Sequence, residues 1–200
     1  MGNEMNTVYL ILGSIGSGKS VVADFILSDR TFEKIEYVGS DLYKRTYFNQ
    51  EIEFNKIGYR CSDELAFYRI EQICRSKNDF IYELCPTNLN KIETLKYIIQ
   101  KYNYKIIAFF VGTESEEINV KRCENREKDG GDIVPVEKIK KRYSEALSRV
   151  IEFIDLAEKM YFIDNSKETP QIVSSIIDNK IELFDENCIW FNTNIVQKLT

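Results

Sequence analysis

The sequence predicts an α/β domain with a mostly parallel sheet of about five strands, flanked by helices in a three-layer arrangement. Short apolar runs alternate with longer amphipathic segments along the chain, which is typical of βαβ units around a parallel sheet. The chain has 200 residues, enough for one good core, and 44% of them are hydrophobic and 30% charged, as in globular proteins. No repeat or low-complexity linker interrupts the alternation. We therefore expect a single domain over residues 1–200.

The strand candidates are short and rich in β-branched or aromatic residues. They cover residues 8–12, 35–38, 80–84, 106–111 and 160–163. Helix candidates alternate with them, over residues 19–27, 62–75, 89–102, 116–127 and 136–159. Ser62 and Ser115 are typical helix caps, and Pro135 stands where a first helical turn tolerates proline. The tail over residues 166–200 contains a further helix candidate near 171–177 and the single tryptophan, Trp190, but no recognisable chemistry.

Composition excludes several classes of site. Lys plus Arg number 27 against 32 Asp plus Glu, so the net charge of −5 gives no overall reason to bind nucleic acid or anionic lipid. The absence of histidine removes Ser-His-Asp and Cys-His nucleophile pairs and every His-ligated metal site. Five widely spaced cysteines without a C-x-x-C pair favour a reducing compartment. No apolar run approaches the ~20 residues of a membrane span, and the start lacks a signal-like segment, so we expect a cytoplasmic protein without a membrane partner.

A glycine-rich loop follows the first strand and spells a complete G-x-x-x-x-G-K-S pattern. Its residues are Gly13, Ser14, Ile15, Gly16, Ser17, Gly18, Lys19 and Ser20. Glycines let successive N–H groups point at phosphate, Lys19 reaches the β- and γ-phosphates, and the Ser20 hydroxyl ligates Mg²⁺. The alternative is an ordinary glycine-rich turn. The strand-to-helix context instead favours a P-loop fold that binds ATP or GTP with Mg²⁺.

Two carboxylates follow neighbouring strands. Asp41 comes after the second strand, at the sheet edge where open α/β folds bind ligands, and it could accept a proton from an attacking hydroxyl. The alternative role of Asp41 is to cap the next helix. Glu83 ends the third strand, where it could hold a substrate hydroxyl or a magnesium-bound water, or simply face solvent.

Two arginines lie four residues apart on one helical face. Arg122 and Arg126 precede a glycine-containing stretch, and we expect a mobile arginine-bearing segment around residues 121–135. Guanidinium groups beside a P-loop typically stabilise charge on transferred phosphoryl oxygens. Arg142 follows on the next helix; for all three, the alternative is a solvated helix face. Cys85 lies beside the expected pocket, where packing as a small hydrophobe is the simplest interpretation.

With these motifs in place, the chain resembles the zeta toxin family of P-loop kinases. The resemblance covers most of residues 8–145 and begins with the glycine-rich loop, followed by Asp41 with Arg45 and then Glu83. Its most specific part combines R-x-x-x-R over 122–126, G-G-D-I-V-P over 130–135 and the Arg142–Tyr143 pair. The family's histidine is missing, with Asp132 or a gap in its place, and Cys85 stands where Thr or Ser commonly follows the glutamate by two residues.

The resemblance implies an Mg²⁺-dependent kinase that uses ATP or GTP to phosphorylate the amino sugar of UDP-N-acetylglucosamine. By motif, Lys19 holds phosphates, Asp41 acts as the base, and Arg122 and Arg126 clamp the phosphoryl group. Arg45, Glu83 and Thr87 are the implied substrate contacts. Many zeta toxins are paired with an antitoxin, so the resemblance also implies a neutralising protein partner. The two departures, Asp132 and Cys85, both lie on the acceptor side.

Two other functions remain open from the residues alone. One is a kinase for a nucleoside, a sugar or a nucleic-acid 5′-end. A nucleic-acid substrate needs aromatic side chains on which bases stack, and Tyr43, Tyr47 and Phe48 near Arg45 could supply a fragment of such a surface. The overall acidity of the chain counts against nucleic acid. The other is a non-catalytic nucleotide-binding module. GTPases generally carry an N-K-x-D element, which the residues over 164–167 do not spell, and paired arginines favour phosphoryl transfer.

Overall fold

A central sheet organises the computed structural model, which describes residues 5–28, 35–47 and 56–199. Within those residues the sheet has seven strands in the order β2-β3-β1-β4-β5-β6-β7. The strands are β1 Thr7–Gly13, β2 Glu36–Gly39, β3 Phe80–Leu84, β4 Lys105–Gly112, β5 Lys159–Asp164, β6 Gln171–Ile177 and β7 Lys180–Leu183. β1 to β5 pair in parallel, whereas β6 and β7 are antiparallel. The five predicted strands therefore form the parallel part of the sheet, and the expected total of about five is too low by the two antiparallel strands.

Helices connect the parallel strands. They are α1 Lys19–Leu27, α2 Ser40–Tyr47, α3 Lys56–Arg75, α4 Leu89–Tyr102, α5 Glu116–Lys128, α6 Val136–Arg149 and α7 Ile151–Ile154. Short helical turns end the described chain, namely α8 Ile189–Phe191, a π-helical turn Asn192–Val196 and α9 Gln197–Leu199. None of the described helices combines the length and apolarity needed to cross a bilayer.

Two helix predictions are wrong, and a third helix begins earlier than predicted, since Ser62 lies inside α3 and does not cap it. The segment 171–177 is strand β6, because its Ile and Val residues pair antiparallel with β5 and place Val173 and Ile176 in the core. The helix predicted over 136–159 ends as α6 at Arg149 and continues only as the short α7, since the chain must turn back to the sheet before β5 begins at Lys159. The return is anchored where the N–H of Glu158 donates to the carbonyl of Ile106.

Apolar residues cover both faces of the sheet, which gives the expected three layers. On one face a small core joins Ile11, Ile81 and Ile163 to Val22 and Ala23 of α1. On the other face, alternate residues of the same strands pack in a larger core with α3, α4, α6 and α7. The central strand β1 is buried except for the partly exposed Tyr9, so the loop that follows it leaves a rigid strand.

The C-terminal tail contributes to the larger core. Trp190 and Phe191 are buried. The centroid of the Trp190 ring lies 5.9 Å from that of Phe110, and the centroid of the Phe191 ring lies 4.8 Å from that of Phe162. Gly112, at the end of β4, faces the Trp190 ring so closely that a Cβ there would lie 2.5 Å from it. The tail thus packs beside the carboxyl ends of β4 and β5. That the whole chain is one domain stays a prediction.

Candidate active site

The carboxyl ends of the five parallel strands meet at one edge of the sheet. The register places Gly39 beside Glu83, Leu12 beside Leu84 and Gly112 beside Asp164. The glycine-rich loop follows β1, Asp41 follows β2 and Glu83 lies near the end of β3. The fold therefore brings the predicted loop and both predicted carboxylates to the same edge, which is where open α/β sheets bind ligands.

The glycine-rich loop has a backbone that only glycine adopts without strain at two positions. Gly16 and Gly18 have φ angles of +78° and +91°. A Cβ on Gly16 would lie 2.6 Å from the carbonyl oxygen of Asn119, and one on Gly18 would lie 2.1 Å from Asn165 Nδ2. Helix α1 begins at Lys19, directly after the loop. The two glycines thus allow a tight loop that ends at a helix N-terminus, where anions are favoured.

Lys19 and Ser20, at the start of α1, contact Glu83 of β3 beside this loop. Lys19 is largely buried; its Nζ donates to the carbonyl of Ser14 at 2.9 Å and lies 3.7 Å from Glu83 Oε1. The Ser20 hydroxyl donates to Glu83 Oε2 at 3.1 Å. A lysine held against a loop carbonyl is placed to reach phosphate oxygens at the same loop.

Tyr37 on β2 completes the surroundings of Glu83, and the motif analysis missed it. Its phenolic oxygen donates to Glu83 Oε2 at 2.5 Å. Burial, followed by the negative charge of Glu83, raises the pKa of Tyr37 well above its ordinary value, so the phenol stays protonated and keeps donating. The only available signal was its place in the second strand, two residues before Gly39.

The residues at this point fit a magnesium ion. Mg²⁺ prefers oxygen ligands and is usually bound through one or two protein groups together with substrate phosphates and waters. The Ser20 hydroxyl and the Glu83 carboxylate supply such oxygens side by side. In the described part of the chain no cluster of three or more His, Cys, Asp and Glu side chains forms a separate metal cage.

Asp41 and several cations act on one another at the same edge of the sheet. Asp41 is exposed in the first turn of α2, and Lys44 of the same helix bonds Asp132 with 2.6 Å between Nζ and Oδ1. Burial, then the positive charges of Arg142 and Lys44, lower the pKa of Lys138 on α6, whereas Asp41 raises it. Asp132 therefore pairs with a cation three residues along the chain from the predicted base.

Two residues predicted on the acceptor side follow β3, whereas two others lie partly or wholly outside the described residues. Cys85 and Thr87 follow β3, with 3.7 Å between Sγ and Oγ1, and the Cys85 thiol is among the groups that act on the pKa of Lys138. Arg45 belongs to α2, but its side chain lies outside the described residues, as does all of Phe48. Their predicted roles stay predictions.

The two predicted phosphoryl clamps differ in their surroundings. Arg122 donates to the carbonyl of Asn165 at 2.7 Å and lies 3.4 Å from that of Ser17, so it braces the loop from outside. Arg126 packs against Gly131, and its Nε is buried without a hydrogen-bond partner among the described residues. A buried, unpaired guanidinium N–H favours an anionic partner. The expected mobility of the 121–135 segment stays a prediction; residues up to Lys128 are helical.

Comparison with known proteins yields no matching family model. The chain is 24% identical to an adenylate kinase from Mycoplasma mycoides subsp. mycoides over 123 residues, which are 58% of this chain and 57% of that protein. It thus spans little more than half of that relative's length.

Solved structures share the fold more completely. A complex of AvrRxo1-ORF1 and -ORF2 with ATP superposes with a TM-score of 0.70 at 15% identity, covering 96% of this chain and 64% of that one. The PezAT toxin–antitoxin system of Streptococcus pneumoniae gives a TM-score of 0.66 at 12% identity, covering 98% and 80%. These likenesses confirm the predicted P-loop kinase fold and the resemblance to zeta toxins at the level of fold.

Proposed function

We propose that this chain is a nucleoside-triphosphate-dependent phosphotransferase that moves the γ-phosphoryl group of ATP or GTP to a hydroxyl of a small molecule. The observation that carries the proposal is the convergence of Lys19, Ser20 and Glu83 at a glycine-rich loop, with Asp41 and several cations facing the same edge. The named adenylate kinase relative and the ATP-bound structural neighbour support a nucleotide donor.

Lys19 and Arg126 bind the donor's phosphates in this proposal. Lys19 lies within the loop, and Arg126 supplies the buried, unpaired Nε–H on α5. Ser20 and Glu83 hold Mg²⁺, which when bound neutralises charge on the β- and γ-phosphate oxygens. The resemblance implies Arg122 as a second phosphoryl clamp; its guanidinium donates to the carbonyls of Asn165 and Ser17, so clamping would require it to leave them.

Asp41 orients and deprotonates the acceptor hydroxyl. The hydroxyl oxygen forms the new bond to the γ-phosphorus, the bond to the β–γ bridging oxygen breaks, and the proton passes to the Asp41 carboxylate. The exposed first turn of α2 leaves this carboxylate open to a ligand. Its negative charge also favours that helix end, so the capping alternative and the catalytic role are compatible.

The acceptor carries negative charge of its own. Burial and the positive charges of Arg142 and Lys44 lower the pKa of Lys138, so these three cations lie close enough to act on one another. Such a group favours a phosphate-bearing alcohol. UDP-N-acetylglucosamine, the acceptor implied by the zeta toxin motifs, fits this chemistry and is our first choice, with Arg45, Glu83 and Thr87 as its proposed contacts.

A protein partner is part of the same proposal. The structural neighbours include complexes named for a toxin–antitoxin system and for AvrRxo1-ORF1 with -ORF2. By the zeta toxin resemblance, we propose that a neutralising protein binds this chain in the cytoplasm. Expression of the chain alone should then arrest growth through Asp41, and Asp41→Asn should remove the arrest.

Mass spectrometry of candidate acceptors tests the activity. The protein is incubated with Mg-ATP or Mg-GTP and UDP-sugars, nucleosides, simple sugars or oligonucleotides, and each acceptor is examined for an added phosphate. Lys19→Ala should abolish transfer and Asp41→Asn should lower it by at least about a hundredfold, whereas the control Asp155→Asn, at an exposed site away from this edge, should not change it. A phosphate found on another acceptor would identify that compound as the substrate in place of UDP-N-acetylglucosamine. Nucleotide binding without any phosphorylated product would favour a regulatory module.

A further inference from the structure

Two buried side-chain amides hold the outer surface of the glycine-rich loop. Asn119 of α5 has no exposed surface; its Nδ2 donates to the carbonyl of Ile15 at 2.9 Å and to the Ser14 hydroxyl at 2.7 Å. Its Oδ1 accepts from Thr113 Oγ1 at 2.7 Å, which fixes the orientation of the amide. A fully bonded, fully buried amide has one low-energy arrangement, since any rotation leaves polar atoms unpaired.

Asn165, just after β5, holds the next part of the loop in the same way. It is 4% exposed, and its Nδ2 donates to the carbonyl of Ser17 at 2.8 Å. Its own backbone is held on both sides, because its N–H donates to Gly112 at 2.9 Å and its carbonyl accepts from Arg122 at 2.7 Å. Asn165 is therefore anchored to the sheet, to α5 and to the loop.

These bonds determine where two loop N–H groups point. In a trans peptide, the carbonyl of one residue and the N–H of the next lie in one plane and point in opposite directions. Because the carbonyls of Ile15 and Ser17 point outward to the two asparagines, the N–H groups of Gly16 and Gly18 point to the inner side. The inner side is where Lys19 and the start of α1 form the anion cradle.

We propose that Asn119 and Asn165 are positioning residues that preset the peptide planes before Gly16 and Gly18 for phosphate binding. Glycine gives the loop the required φ angles but also the largest freedom to leave them. Holding the two carbonyls removes that freedom before the ligand arrives, so binding does not have to order the loop. The inference rests on the proposed phosphate binding by this loop but not on the identity of the acceptor.

Calorimetric titration with inorganic pyrophosphate and ADP tests the proposal. Asn119→Ala and Asn165→Ala should each weaken pyrophosphate binding about tenfold, because binding must then order the freed loop at a cost of roughly 1.4 kcal/mol. Asn125→Ala, an exposed asparagine of the same helix, is the matched control and should bind as the unmodified protein does. Equal affinities in all variants would overturn the assignment of both asparagines.

A second measurement uses the unmodified chain and does not depend on the variants folding. Residual dipolar couplings of the Gly16 and Gly18 amides report the direction of each N–H bond with and without pyrophosphate. Preset peptide planes predict the same directions in both states, and a reorientation on binding would refute the proposal. If the unmodified protein binds neither pyrophosphate nor ADP, the proposed function fails, and the positioning role fails with it.

Discussion

Removing one oxygen atom from Tyr37 tests how the Glu83 carboxylate is held. Tyr37→Phe deletes the phenolic donor that lies 2.5 Å from Glu83 Oε2 and keeps the ring in place. Ser20 donates to the same carboxylate oxygen at 3.1 Å, so Glu83 retains one short partner and the more distant Lys19. The carboxylate therefore loses its shortest hydrogen bond while the fold is preserved.

The expected effect follows from the type of bond lost. A hydrogen bond to a charged group contributes about 1.5–3 kcal/mol, and we take the lower value because Glu83 keeps other donors. About 1.4 kcal/mol corresponds to a factor of ten in a binding constant. Because Mg²⁺ binding must then order the Glu83 carboxylate, Tyr37→Phe should raise the Mg²⁺ concentration that half-saturates nucleotide binding by up to about tenfold, and nucleotide binding without Mg²⁺ should change much less.

Fluorescence titration of labelled ADP against Mg²⁺ measures this effect. Tyr97→Phe, which alters a tyrosine that is 62% exposed on α4, is the matched control. Because the pKa of Tyr37 is raised, the unmodified protein should show no loss of Mg²⁺ dependence up to about pH 10, the ordinary value for tyrosine. A Mg²⁺ dependence in Tyr37→Phe equal to that of the control would refute the proposed support of Glu83.

Three further predictions concern other parts of the structure. Asp41→Asn should lower transfer by at least about a hundredfold with nucleotide affinity nearly unchanged, and equal loss of both in kinetic and binding assays would contradict its role as base. The pKa of Lys138 is lowered, so Lys138 should lose its charge, and the protein its affinity for the acceptor, at a lower pH than an ordinary lysine would allow. Lys138→Arg keeps the charge, so the pH at which the acceptor KM begins to rise should be higher in this variant. An unchanged pH dependence of KM would argue against this site. Gly112→Ala should destabilise the fold by about 1–3 kcal/mol in chemical denaturation, because its Cβ would lie 2.5 Å from the Trp190 ring. In a Trp190→Leu background, Gly112→Ala should cost less stability than in the unmodified protein, whereas an equal cost would show that the two positions do not clash.

Local patterns predicted the parallel part of the sheet and the loop. The five parallel strands were short β-branched or aromatic runs, and the G-x-x-x-x-G-K-S pattern located the loop between β1 and α1. The tail was harder to predict, because the residues of β6 become a strand only by pairing with β5. The end of α6 was also missed, since an apolar stripe continues into α7 although the chain must turn back to the sheet.

The sequence by itself determined which residues are apolar, where the five parallel strands lie, and which loop carries the G-x-x-x-x-G-K-S pattern. The tertiary structure alone decided that Tyr37 supports Glu83 and that Asn119 and Asn165 hold the loop. The two asparagines lie 104 and 148 residues along the chain from the carbonyls that they bind. Periodicity encodes which way a side chain faces, but it contains no information on its partner. The partner is set by strand order and register, which bring the ends of β1, β4 and β5 together only when the whole sheet has formed.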